Sequence, residues 1–244
     1  MKPLLIRSSY LFFFLCIGIS EIRANDISYG IVTDALLGPQ VSLDNGQLQT
    51  RFAFGGVGPK ISIDTGSSRV ELSAKFGYLD NFKTTYLGRK FTGAAKSSSI
   101  EIHYFQELLK AGKYSIFGDV QFAQDHAQSI GFKQVSNGES AVAENKASAV
   151  RVGASIRTQI NHNKTLTLSL GTNMLEIDAI GTKFLDNGNK LLIPVTANSD
   201  RPYFEILYEN CTSYSCLEYK IGAQQISFDA EYTALILGIE YKFR

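Results

Sequence analysis

Residues 70–78 read Val70-Glu71-Leu72-Ser73-Ala74-Lys75-Phe76-Gly77-Tyr78. Every second residue is apolar, and those between are polar or Gly. Successive side chains on an extended strand point to opposite faces, so this segment has one apolar and one polar face. The pattern recurs along the chain. Ile100, Ile102 and Tyr104 oppose Glu101 and His103, and Tyr114, Ile116, Val120 and Phe122 oppose Ser115, Asp119 and Gln121. Val150, Val152, Ala154 and Ile156 oppose Arg151, Gly153, Ser155 and Arg157. Leu166, Leu168 and Leu170 oppose Thr165, Thr167 and Ser169, and Phe204, Ile206 and Tyr208 oppose Glu205. Leu217, Tyr219, Ile221 and Ala223 oppose Glu218, Lys220, Gly222 and Gln224. Finally, Leu235, Leu237, Ile239, Tyr241 and Phe243 oppose Ala234, Gly238, Glu240 and Lys242.

Two weaker segments precede these. Residues 26–34 alternate through Ile27, Tyr29 and Ile31. Residues 47–63 alternate through Leu48, Phe52 and Phe54, then change parity before Ile61 and Ile63. A bulge within Gly55-Gly56-Val57-Gly58-Pro59 would supply the extra residue. The connections alternate in length. Asp64–Ser67, Leu109–Gly112, Asn161–Lys164 and residues 211–216 are short turns, whereas residues 80–96, 125–146 and 178–200 are long and polar, with 35–46 a possible fourth loop. Short turns on one side and long loops on the other are the layout of a transmembrane β-barrel. The expected fold is all-β: a closed antiparallel barrel of about ten strands, or eight if residues 26–34 and one later segment are not strands. An even number puts both chain ends on the periplasmic side.

A soluble β-sandwich also alternates, and face composition alone does not separate the two. In a narrow barrel the polar face lines the lumen. Its expected members are Glu71, Lys75, Glu101, His103, Asp119, Arg151, Arg157, Glu205, Glu218, Lys220, Glu240 and Lys242, of mixed sign. Export favours the barrel. Lys2 and Arg7 precede the apolar run 11–19, and Ala24 closes a cleavage-like site, so residues 1–24 read as a signal peptide and 25–244 as the barrel domain. The apolar run is too short for a comfortable membrane span, which needs roughly 20 residues. Removing Lys2, Arg7, Arg23 and Glu21 shifts the net charge from +1 to −1. The remaining cysteines, Cys211 and Cys216, are expected to form a disulfide in the exported chain.

The C-terminus carries a family resemblance. Gly238, Tyr241 and Phe243 lie at the spacing of the terminal-strand signal of bacterial outer-membrane β-barrel proteins, with Arg244 following. The chain resembles that class, in particular the small OmpA-transmembrane-like and opacity-type barrels. The resemblance implies recognition by the outer-membrane assembly machinery and insertion as a closed barrel. Tyr78, Tyr104, Tyr208, Tyr241 and Phe243 would then lie in the interfacial aromatic girdles.

The chain has 244 residues with 24 Lys+Arg and 23 Asp+Glu, a balance that excludes electrostatic nucleic-acid binding. No cofactor or metal motif is present: there is no Cys-x-x-Cys and no His-Glu-x-x-His. Among the histidines, His103 falls on the lumen face and His162 in a short turn. Asp125-His126 opens a long loop, but adjacent residues on a strand point apart and a water-activating site needs converging groups. Outer-membrane lipid A deacylases pair a lipid-facing His with a nearby Ser, and no His-x-Ser is present. No enzymatic activity is expected. Three functions compete: loop-mediated surface interaction in adhesion or an envelope role, a narrow porin-like channel, and an outer-membrane enzyme. The lipid bilayer, lipopolysaccharide and a host or surface ligand are the expected partners. Loop 80–96, with Lys83, Arg89, Lys90 and Lys96 beside Tyr86 and Phe91, could meet lipopolysaccharide phosphates or an acidic host polymer.

Overall fold

The structure is a computed structural model and describes residues 27–43, 48–86, 88–136, 138, 140–184 and 190–243. The expected signal peptide lies outside these residues. Ten antiparallel strands follow in chain order: β1 (Ile27–Leu43), β2 (Leu48–Asp64), β3 (Ser68–Tyr86), β4 (Arg89–Ala111), β5 (Tyr114–Gln134), β6 (Ser140–Asn161), β7 (Lys164–Phe184), β8 (Lys190–Cys211), β9 (Ser215–Ser227) and β10 (Glu231–Phe243). Each pairs with its chain neighbours, and β1 closes on β10 from Tyr29 with Phe243 to Leu37 with Leu235. The fold is a closed ten-stranded transmembrane β-barrel. Closure gives each strand a paired neighbour on both sides, which is how a barrel avoids an open sheet edge in lipid.

The end carrying both termini is called the inner end below. Register partners of Tyr114, at the inner end of β5, run through Thr158, Leu166, Tyr208, Tyr219, Ile239, Thr33 and Val57 to Phe76, well up β3. That climb is the strand tilt a closed barrel requires. The apolar parity faces outward throughout. Phe76, Tyr78 and Leu170 are each 64% exposed, and Ile100, Val152, Ile221 and Leu235 are exposed with them. The belt ends at the inner side in aromatics: Tyr208 stacks on Tyr219 with ring centroids 6.5 Å apart, and Tyr241 meets Phe243 edge-on at 4.8 Å.

The long loops expected at 80–96, 125–146 and 178–200 are mostly strand. β1 to β8 run 17 to 23 residues, against the roughly 9–11 that cross a bilayer. Backbone pairing does not need an apolar face, so the polar segments continue as hairpins above the apolar belt. The expected turn at Leu109–Gly112 likewise moves to Gly112–Lys113, because β4 extends to Ala111. The bulge expected at residues 55–59 gives way to an earlier irregularity: β2 shifts register against β1 between Arg51 and Ala53, opposite Gln40 and Leu37. Pairing with β3 is interrupted between Thr50 and Val57, while pairing with β1 is continuous from Ala53 to Ile63.

β9 and β10 have only 13 residues each, so the wall is lower there. β8 pairs with β9 only from Tyr203 inward, leaving Lys190–Pro202 without a β9 partner. Pro194 and Pro202 both fall in that stretch, where a missing N–H removes no β9 ladder bond. Local contacts cover the gap: the Ser227 amide donates to Ser199 Oγ (2.9 Å), and the Ser42 amide to Tyr232 Oη (3.0 Å).

Candidate functional site

The polar parity of every strand turns inward, so the lumen collects the charges in layers. Nearest the inner end, Lys60 lies 2.7 Å from Glu71 and 2.6 Å from Glu240. Lys242 reaches Glu218 at 3.0 Å and Glu209 at 3.2 Å, and Arg157 lies 2.8 Å from Glu209. Arg69 meets Glu71 at 3.1 Å while its guanidinium stacks over Phe105. Lys60, Arg69, Arg157 and Lys242 therefore face Glu71, Glu209, Glu218 and Glu240, cation for anion.

The next layer holds Lys75 between Asp34 (2.6 Å) and Glu101, with Lys220 3.7 Å from Asp34. Arg151 donates to Glu205 (2.7 Å) and to Gln224 (3.0 Å) and lies over the Tyr203 ring. Asp119 Oδ1 accepts from Tyr203 Oη at 3.1 Å and lies 3.3 Å from His103 Nε2. The Tyr203 ring needs Gly153 and Gly171 beneath it. A Cβ at Gly153 would stand 2.4 Å from the Tyr203 hydroxyl, and one at Gly171 would stand 2.9 Å from the ring.

Above the charges the lumen turns apolar. Ala123, Ala147, Ala149, Leu175, Ile177, Ile226 and Ala234 form a buried cluster, with Leu36, Ala197, Phe228 and Tyr232 packed against it. Ile226 and Ala234 are fully buried. Two small cavities of about 80 and 100 Å³, lined by charged and apolar side chains together, adjoin through Glu101, Gln121 and Lys220.

Of the expected lumen residues, Glu71, Lys75, Asp119, Glu205, Glu240 and Lys242 are buried, and Glu101, His103, Arg151, Arg157, Glu218 and Lys220 line the two cavities. Asp34, Lys60, Arg69 and Glu209 join them without having been expected. Lys60 has the parity opposite to Ile61 and Ile63, and Glu209 shares the parity of Glu205, so alternation could have found both. Cys211 and Cys216 are disulfide-bonded across the turn between β8 and β9, with Cα atoms 4.0 Å apart. The closed loop is short, so Cys216→Ala is expected to cost at most about 2 kcal/mol. Urea unfolding of the refolded barrel measures this, and the variant still closes.

The histidines separate. Asp125 lines the lumen, whereas His126 is 2.9 Å from Glu144 and has Ser98 and Lys146 as register partners. His126 thus lies within a strand, and Asp125 and His126 diverge. Phe91 is only 5% exposed, so it does not join Lys83, Arg89, Lys90 and Lys96 as a contact surface; those four are exposed. The side chain of Tyr86 lies outside the described residues.

No family model matches the chain, and no curated protein matches it either. Solved structures do. The outer membrane protease OmpT from Escherichia coli superposes with a TM-score of 0.53 at 10% identity, covering 89% of this chain and 94% of that one. The translocator domain of the autotransporter NalP from Neisseria meningitidis gives 0.52 at 10% identity, covering 98% and 95%. The fold is that of the outer-membrane β-barrel class. The likeness is to the class as a whole and does not select the OmpA-like subset, whose small barrels have about eight strands.

Proposed function

We propose that this protein is a closed barrel of the bacterial outer membrane that works through its outer surface, in adhesion or an envelope role. One observation carries the reading: the lumen is filled from below by paired charges and from above by an apolar layer. A solute would have to break buried ion pairs or pass Ile226 and Ala234. The lumen is structural, no reaction is assigned to it, and the rim hairpins above the belt are the parts available to a host or surface ligand. Tyr241 and Phe243 face outward, which supports their role in recognition by the assembly machinery. Lipid and lipopolysaccharide surround the belt.

The test is expression in a non-adherent bacterial host. Surface attachment or detergent resistance is expected to change, and Arg89→Gln with Lys90→Gln at the rim is expected to reverse it. Faster uptake of small solutes with neither change would contradict the proposal. A narrow channel is the second reading, favoured by the two adjoining cavities in the lumen.

A further inference from the structure

Among the described side chains, the charges on the outside of the barrel are sorted by flank. On β3 to β6 the exposed ionic residues above the apolar belt are Lys83, Arg89, Lys90, Lys96, Lys133 and Lys146, accompanied by the half-exposed Glu144. On β7 to β10 they are Glu176, Asp178, Asp200, Asp229 and Glu231, with Arg201 paired to Glu231 at 3.3 Å. These are the described residues; the register places them. Lys96 is the direct partner of the outward Tyr78, and Lys146 lies in one row with Ser98 and Phe76. Lys83 and Lys133 both pair with Thr92, so they stand two strand spacings apart, roughly 10 Å.

We propose that the β3–β6 flank is a binding site for a phosphate-bearing lipid of the outer leaflet, and that the β7–β10 flank is not. The inference rests on the outer-membrane reading above and assigns one face of the wall to its lipid partner. The lysines lie above Phe76, Tyr78 and Ile100 on the same outward face, with Ser98 between Ile100 and Lys96. An amphipathic ligand therefore meets aromatic wall with its chains and ammonium groups with its phosphates in one pose. A soluble polyanion would use the charges and leave the apolar wall unmatched. Lysine serves here as a point charge on a flexible stem, which suits phosphate at a wet interface. On the opposite flank the same lipid would face carboxylates.

The test uses the full barrel refolded in zwitterionic detergent, with lipid binding read by native mass spectrometry. The probes are bisphosphorylated lipid A and the same lipid after dephosphorylation. Wild type is expected to prefer the bisphosphorylated form. K83Q/K96Q/K133Q/K146Q should bind it several-hundredfold more weakly, at roughly fivefold per lysine. E176Q/D178N/D200N/E231Q should bind it as tightly as wild type or more so. Should the quadruple lysine variant fail to refold, K133Q alone carries the test with a loss of about fivefold. Phosphate-independent binding, equal losses from the two flanks, displacement by soluble polyphosphate at equal phosphate concentration, or a lysine-dependent oligomer in place of lipid binding would each overturn the proposal. Conductance through the same preparation separates the two readings. A conducting barrel that still binds by phosphate removes the closed-lumen reading and leaves this one intact.

Discussion

Replacing Lys242 with Met is expected to destabilise the barrel by about 3–5 kcal/mol, the usual cost of stranding a buried charge. Lys242 Nζ lies 3.0 Å from Glu218, 3.2 Å from Glu209 and 3.8 Å from Glu240, and its side chain is almost fully buried. Without it Glu240 keeps Lys60, which it shares with Glu71, and Glu209 keeps Arg157, while Glu218 loses the one ion pair described for it. Desolvated like charges at such range repel strongly, because the lumen screens them little. The size of the effect comes from what is left behind rather than from the bond removed. Lys242→Met with Glu218→Gln should therefore recover part of the loss, since one anion leaves with the cation. Arg201→Gln provides the contrast. Its pair with Glu231 is solvent-exposed and should be worth no more than about 1 kcal/mol. Urea unfolding followed by heat-modifiable gel mobility measures all three.

The second large effect concerns the apolar layer. Ile226 is fully buried and Leu175 nearly so, and both pack in the cluster that roofs the charged lumen. Ile226→Ala and Leu175→Ala are expected to cost about 2–5 kcal/mol each. They should also join outside water to the cavity lined by Lys75, Glu101 and Arg151. Ion conductance across a planar bilayer is then expected from the double variant. A double variant that folds and stays electrically silent would show that the charge layers alone close the lumen.

Much of this architecture is legible in the alternation, because a period of two fixes which face each side chain takes once one face meets lipid. Residues 235–243 show it best: Leu237, Ile239 and Tyr241 are exposed while Glu240 and Lys242 are buried. The height of the wall was not legible. Polar residues on both faces read as loop, yet Lys96, His126 and Lys146 continue the ladders as register partners. The layering was hidden for another reason. Ala147, Ala149, Leu175 and Ile177 sit beside or within segments read as loops, and their convergence depends on strand tilt, which no single strand reveals. The sorting of exposed charge between flanks has the same origin. It exists only once the strands are placed side by side, since Lys83 and Lys133 are far apart in the chain and pair with one Thr92.

The most direct measurement of the central claim, that paired charges and an apolar roof close this barrel, is the conductance of the purified wild-type protein in planar lipid bilayers. The membrane is predicted to stay silent, with no steady unit step across the range of voltages it tolerates. A reproducible unit conductance from folded, heat-modifiable wild-type protein would contradict the account.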